Sequence, residues 1–211
     1  MARLKVCFSG RSHKQLAGAI ATAIHKHLKA ASKYTFVDDA IPIDDAPDVA
    51  ICTYGRLVIN HAAMLTHEPA ALVESNYLQP RRFVERVIVA MRNAQKPGLI
   101  IMLGSNAARY GNVGAEDYAA QKAALRKYLE LRGHTARVDG IRICHLGLGA
   151  VNTAFWEKAC EHAHPSDVRA IRPDPEKALT PEEVAMTVQA IIELPPRVSI
   201  SDMLMTSVDY Q

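Results

Sequence analysis

Short apolar runs alternate with longer segments of helical periodicity along the whole chain. The short runs have the length of strands and are LKVCFSG, YTFVDD, DVAICTYG, GLIIMLGS, IRICHLGLG and SISDMLMTSV. Between them, apolar residues recur every three to four positions, for example in QLAGAIATAIHKHLKAA, in residues 71–93, in DYAAQKAALRKYLELRGH and in PEEVAMTVQAIIEL. Strands that are apolar on both faces are typical of a parallel sheet with helices on both sides. The pattern therefore predicts a doubly wound α/β fold.

Length and composition indicate one globular domain spanning residues 1–211. Hydrophobic residues make up 49% of the chain and charged residues 22%, which is enough to bury a core. The net charge of +3 is spread along the chain, so no basic block suggests nucleic acid or a membrane surface. We find neither an apolar run of spanning length nor a signal peptide. We expect a cytoplasmic protein whose partners are small molecules or copies of itself.

The cysteines and histidines do not form a metal-ligand pattern. The cysteines are far apart, lack CxxC spacing and are expected to be reduced core residues: Cys7, Cys52, Cys144 and Cys160. His25 and His27 lie two positions apart on a predicted helix and so face different ways, and His145 is expected in the core. We therefore expect no metal site.

Candidate catalytic residues follow the apolar run GLIIMLG. In an open parallel sheet, ligands bind at the carboxyl ends of the strands. Ser105 follows this run directly, Tyr118 comes later, and Lys122 lies one helical turn beyond Tyr118 on the same face. An adjacent cation together with cofactor charge could lower the pKa of a phenol from about 10 to about 7, which requires roughly 4 kcal/mol. Tyr118 would then be an acid and base; alternatively, the YxxxK spacing is a coincidence.

The segment GSNAARYGNVGAEDYAAQKAAL resembles the active-site segment of the short-chain dehydrogenase/reductase family, and the similarity extends over nearly the whole chain. The resemblance implies a Rossmann-like fold and NAD(P)-dependent interconversion of a carbonyl and a secondary alcohol. It implies that Ser105 binds the substrate oxygen and that Tyr118 donates or accepts the proton. Lys122 would lower the pKa of Tyr118 and bind the nicotinamide ribose.

Three further segments resemble this family. EPAALVESNYLQPRRFVERV matches the helix with the fourth catalytic residue, which places Asn76 in a water-mediated proton relay. Pro80, four residues later, has no N–H to bond the Asn76 carbonyl, which leaves that carbonyl free for water; the alternative is a surface asparagine. CTYG stands where the family has NNAG and assigns Gly55 to the cofactor site, and GIRICHLGLGAVNT assigns Thr153 to the nicotinamide end.

The phosphate-binding loop departs from the family pattern TGxxxGxG. It reads SGRSHKQLAGAIA, in which Gly10 matches the first glycine and the others are replaced. Backbone amides at the helix N-terminus could still bind a phosphate, with Arg11 and Ser12 as added donors. Asp38, after YTFV, would bind ribose hydroxyls and favours NAD, whereas Arg11 and Lys14 could favour NADP. Asp38 could equally belong to a solvated turn.

The region after the second strand is shorter than in the family. Only residues 11–54 separate Gly10 from Gly55, where the family has a further βα unit whose strand forms the sheet edge. We expect the remaining sheet to be intact. Two alternatives to redox activity stay open: a degenerate scaffold that senses a nucleotide or acts in assembly, and a family-derived lyase. The dehalogenases among such lyases have arginine in place of the lysine, so Lys122 favours redox. As in the family, the helices carrying Asn76 and Tyr118 are expected to form a homodimer or homotetramer.

Overall fold

The computed structural model describes residues 3–9, 17–37, 46–57, 69–111, 114–159 and 173–209. The strands of the described chain form one parallel sheet and are β1 Leu4–Phe8, β2 Tyr34–Val37, β3 Val49–Cys52, β4 Gly98–Ser105, β5 Ile141–Leu148 and β6 Asp202–Met205. The described α-helices are α1 Ala17–Ala30, α2 Pro69–Val73, α3 Gln79–Asn93, α4 Glu116–Ala136, α5 Phe155–Ala159 and α6 Pro181–Glu193.

The strands lie in the spatial order β2-β1-β3-β4-β5-β6, and every pair is parallel. The order reverses at β1, because the chain runs outwards to β2 and then returns to the other side of β1. This confirms the predicted doubly wound sheet. β2 is the outer strand of the described sheet, in agreement with the short region that the sequence shows after the second strand.

The sheet is apolar on both faces, as predicted. Successive residues of β4 point to opposite sides: Ile101 and Leu103 pack with α1 and α6, whereas Ile100 and Met102 pack with α3 and α4. All four residues are at most 7% exposed. Because both faces are covered, polar side chains that are available to a ligand concentrate at the ends of the strands.

The described cysteines are buried free thiols, as expected: Cys7, Cys52 and Cys144. Cys160 lies outside the described residues. Within the described ranges, no group of histidine, cysteine and acidic residues could hold a metal ion. None of the helices in those ranges combines the length and the apolar character that crossing a membrane requires.

The helix predicted over residues 71–93 is interrupted by a π-helical turn over Glu74–Leu78. The N–H of Gln79 bonds the carbonyl of Glu74, five residues earlier, instead of a carbonyl four residues earlier. Pro80 lies at the start of α3 and has no N–H for the regular ladder. The wider turn carries Asn76, which is completely buried.

Candidate active site

A cavity opens at the carboxyl ends of β3, β4 and β5. Its empty volume is about 1070 Å³, a value that includes space open to solvent. The predicted site residues among its described lining are Gly55, Ser105, Tyr118, Lys122 and Thr153. The fold therefore brings together residues from three strand ends and from α4.

Ser105 is the last residue of β4, and its side chain caps the 3₁₀ turn Asn106–Ala108. The Oγ atom accepts a hydrogen bond of 3.1 Å from the Ala107 N–H. Its own proton points to Asn106 Oδ1 at 3.4 Å, which is long for a hydroxyl donor. The Oγ atom thus accepts from the backbone, while its O–H group can donate a hydrogen bond to a better acceptor in the cavity.

Tyr118 lies in the first turn of α4 and is only 8% exposed. It packs with Leu57, Ala115 and Ala159. Burial raises the pKa of Tyr118 to about 12, and the neighbouring Ser105 side chain partly opposes this rise. The chain's own groups therefore keep the phenol protonated at neutral pH. The lowering of the pKa that we expect from the sequence would have to come from cofactor charge.

Lys122 lies one turn after Tyr118 and is 3% exposed. Its Nζ atom is 5.4 Å from the centre of the Tyr118 ring and donates a long hydrogen bond of 3.4 Å to the Tyr54 carbonyl. Because burial disfavours the charged ammonium, the pKa of Lys122 falls to about 8. A Cβ atom at Gly55 would lie 2.8 Å from this Nζ atom, so a side chain at this position would force the ammonium to move.

Asn76 joins the segment after β3 to α4. Its Oδ1 atom accepts from the Arg56 N–H at 2.7 Å, and its Nδ2 atom donates to the Arg56 carbonyl at 2.8 Å and to Gln121 Oε1 at 2.9 Å. The alternative of a surface asparagine is therefore wrong. Asn76 fixes the backbone directly after Gly55, while its part in a proton relay stays a prediction.

Of the remaining predicted site residues, Thr153 lies within the described part of the chain. Thr153 Oγ1 accepts from the Phe155 N–H at 3.3 Å, and Phe155 and Trp156 form an apolar wall of the cavity. The cavity also reaches Ile20 in the first turns of α1. Four predicted cofactor residues lie outside the described residues: Gly10, Arg11, Ser12 and Asp38.

Sequence analysis missed a polar cluster beside β4, which we call the Asp202 cluster: His145, Asp202, Arg109 and Arg126. Asp202 Oδ1 is 2.8 Å from His145 Nδ1, and Oδ2 accepts from Arg109 Nη2 at 2.6 Å and from Arg126 Nη2 at 2.6 Å. Burial lowers the pKa of His145, although Asp202 opposes this. The sequence does show His145 as a polar residue inside an apolar strand, but it does not indicate which residues His145 contacts.

The sequence matches the family model described as "short chain dehydrogenase" over residues 57–164. No curated protein matches the chain. An alcohol dehydrogenase from the archaeon Thermococcus sibiricus, solved with 5-hydroxy-NADP, is 18% identical with a TM-score of 0.72, covering 100% of this chain and 99% of that one. A short chain dehydrogenase/reductase family oxidoreductase from Burkholderia thailandensis is 20% identical with a TM-score of 0.72, covering 98% and 92%. A variant of actinorhodin polyketide ketoreductase, solved with NADPH, is 21% identical with a TM-score of 0.68, covering 96% and 85%.

Proposed function

The chain belongs to the short chain dehydrogenase family, and we propose that it is an oxidoreductase that uses a nicotinamide cofactor to interconvert a small-molecule carbonyl and a secondary alcohol. The observation that carries this proposal is the meeting of Ser105, Tyr118 and Lys122 at one cavity. Its described lining combines these polar groups with an apolar wall, which suits a neutral ketone or alcohol.

Tyr118 is the proposed acid and base. When bound, the nicotinamide cofactor supplies or accepts the hydride. In the reductive direction the substrate oxygen becomes an alkoxide, and the phenol of Tyr118 donates its proton to it. The phenol carries its proton at neutral pH, as this direction requires, whereas the oxidative direction requires the charge of the bound cofactor to lower the raised pKa of Tyr118. Ser105 donates a hydrogen bond to the same oxygen with the proton that now makes a long contact to Asn106.

Lys122 and Gly55 are proposed to hold the nicotinamide ribose, and Thr153 the nicotinamide end. The space at Gly55 supports this fit, since a side chain there would displace the Lys122 ammonium. Asn76 is the proposed fourth member of the proton relay. We propose Gly10, Arg11 and Ser12 for the phosphates, and Asp38 for the adenosine ribose, which favours NAD over NADP.

Titration with NADH and with NADPH, followed by nicotinamide fluorescence, tests the cofactor proposal. We expect a saturable signal with at least one of them, and weaker binding in Lys122→Ala. If neither cofactor bound or raised the melting temperature at millimolar concentration, the redox proposal would fail. The nucleotide-sensing or assembly scaffold would then be the better account.

Tyr118→Phe tests the catalytic proposal, because it removes only the hydroxyl. Loss of a general acid should lower turnover by roughly two to four orders of magnitude and leave cofactor affinity nearly unchanged. Turnover is measured as nicotinamide absorbance with a panel of neutral ketones. Tyr110→Phe is the matched control, since Tyr110 is 63% exposed. A Tyr118→Phe protein that keeps most of its turnover would refute the assignment.

We also propose a homodimer or homotetramer that packs through α3 and α4. Each of these helices presents a large apolar residue to solvent: Val89 is 48% exposed and Leu131 is 57% exposed. In the proposed oligomer these two side chains are buried by the partner copy. The buried free thiols of Cys7, Cys52 and Cys144 support the proposed cytoplasmic location, because cytosolic thiols are kept reduced.

A further inference from the structure

The Asp202 cluster connects four elements of the fold through one carboxylate. Asp202 begins β6, His145 lies on β5, Arg109 follows the 3₁₀ turn after β4, and Arg126 lies on α4. Arg126 donates to Asp202 Oδ2 with its Nε atom at 2.8 Å as well as with Nη2. Hydrogen-bonded pairs of opposite charge have stricter geometry than pairs held by charge alone. The carboxylate therefore fixes the distance between these elements.

Two arms of the cluster lead directly to the proposed catalytic residues. Arg109 ends the turn that Ser105 caps, and its N–H bonds the Asn106 carbonyl at 2.8 Å. Arg126 lies one turn after Lys122 and two turns after Tyr118 on the same face of α4. Asp202 thus holds the Ser105 turn and the catalytic face of α4 at the same point.

Two strand glycines make room for the cluster. A Cβ atom at Gly104 would lie 2.0 Å from His145 Nε2, and one at Gly147 would lie 2.8 Å from Arg109 Nη1. Glycine inside a strand weakens the strand and marks a close approach. Arg109 Nη1 is buried and has no hydrogen-bond partner among the described residues. Within that part of the chain, the Arg109 guanidinium is therefore paired through Asp202 alone.

We infer that Asp202 is a positioning residue for the proposed carbonyl reduction. Its carboxylate sets the Ser105 turn against the Tyr118 and Lys122 face of α4, so that both hydroxyls reach one substrate oxygen. This inference rests on the proposed function. A purely structural ion pair would add stability without controlling turnover, and the two roles can be separated by experiment.

Asp202→Asn is the main test. The side chain keeps its size but loses the negative charge that both guanidinium groups share, and if its carbonyl oxygen turns to His145, its amide faces the guanidinium donors. Because misplacement of about 1 Å can lower a rate about 100-fold, we expect kcat to fall roughly 10- to 100-fold. KM and NADH or NADPH affinity should change less than about threefold, since the Ser105 turn moves while Lys122 keeps its contact with the Tyr54 carbonyl.

Asp139→Asn is the matched control. It removes another arginine–aspartate bridge of 2.6 Å, between Arg92 of α3 and the turn after α4, which lies away from the cavity. Because this bridge joins a single pair and is more exposed, Asp139→Asn should lower the melting temperature less than Asp202→Asn does, and it should leave kcat unchanged. Arg109→Gln breaks the same link without altering β6 and serves if Asp202→Asn does not fold.

Hydrogen exchange gives a measurement that does not depend on turnover. The N–H groups of Ala107, Arg109 and Tyr110 form the bonds of the Ser105 turn. We expect this peptide to exchange faster in Asp202→Asn or Arg109→Gln and at the parental rate in Asp139→Asn. Parental exchange of this peptide, or turnover within about twofold of the parent in an active protein, overturns the inference. If the parent itself reduces no ketone, the proposed function fails, and hydrogen exchange alone decides whether Asp202 holds the turn.

Discussion

Replacing Lys122 by methionine should stabilise the protein at neutral pH while removing its proposed activity. Lys122 is 3% exposed, and its described contacts with polar or aromatic groups are one long hydrogen bond and the Tyr118 ring. Burial of an ammonium with so little compensation is unfavourable. Methionine has a similar length, carries no charge and adapts to irregular packing. The substitution therefore removes the burial penalty and keeps most of the packing.

The magnitude follows from the pKa of Lys122, which falls from 10.5 to about 8. This difference corresponds to about 3 kcal/mol. Loss of the contact with the Tyr118 ring offsets part of it, since such contacts contribute about 0.5 to 2 kcal/mol. We therefore expect a gain in the free energy of unfolding of about 1 to 3 kcal/mol at pH 7, within the range found when buried ions are replaced by apolar residues.

The sign of the pH dependence follows from the same shift. Between pH 8 and 10.5 the unfolded chain keeps the Lys122 proton and the folded protein releases it, so the stability of the parent rises with pH relative to the variant. The advantage of Lys122→Met should therefore shrink by about 1 kcal/mol between pH 7 and 9. Taking the difference between the two proteins cancels the titration of every other group that the substitution leaves alone.

Urea unfolding of both proteins at pH 7, 8 and 9 measures this difference. Lys127→Met is the control, because Lys127 lies on the same helix, is 63% exposed and pairs with Glu130. Its stability difference from the parent shows the effect of removing a lysine from the exposed face of the same helix. A Lys122→Met protein that is less stable than the parent at pH 7, with a difference that stays constant to pH 9, would refute the argument from burial.

Three further predictions concern the same region and the assembly. Gly55→Ala places a methyl group 2.8 Å from Lys122 Nζ; because that flexible end can move, stability should change by less than about 1 kcal/mol, while cofactor affinity and turnover fall roughly tenfold in a fluorescence titration and a rate assay. Asn76→Ala removes the side-chain partners of the Arg56 N–H and carbonyl and should lower the urea-derived stability by about 1 to 3 kcal/mol; a loss below about 0.5 kcal/mol would contradict the geometry. Leu131→Glu should convert the proposed oligomer to monomers in light scattering at micromolar concentration, and a monomeric parent would reject that proposal.

The order of the elements could be predicted from the sequence because it depends on local pattern. Apolar runs such as GLIIMLGS are strands in the structure, and the position of Tyr118 and Lys122 on one helical face follows from their spacing of four residues. These features need only short-range rules together with the known handedness and order of parallel α/β sheets.

Features that depend on distant contacts could not be predicted. His145 and Arg109 lie 57 and 93 positions from Asp202, so nothing in their local sequence indicates the shared carboxylate. The direction of the Tyr118 pKa depends on burial by Leu57 and Ala159, which are likewise remote in sequence. The π-helical turn could not be predicted for a different reason, since apolar periodicity does not distinguish it from an α-helical turn.

Several residues around the cavity weaken the fold locally, and their positions argue for a chemical role. Lys122 is a buried cation, and Gly104 occupies the interior of a strand, where a side chain would normally add packing. A protein that served only as a scaffold would be more stable with methionine at 122, whereas Gly104 makes room for the buried His145 ring. Each of these departures instead leaves space or charge next to Ser105 and Tyr118. These locally destabilising residues therefore lie where the proposed proton transfer needs a fixed Ser105 hydroxyl and a positive charge near Tyr118.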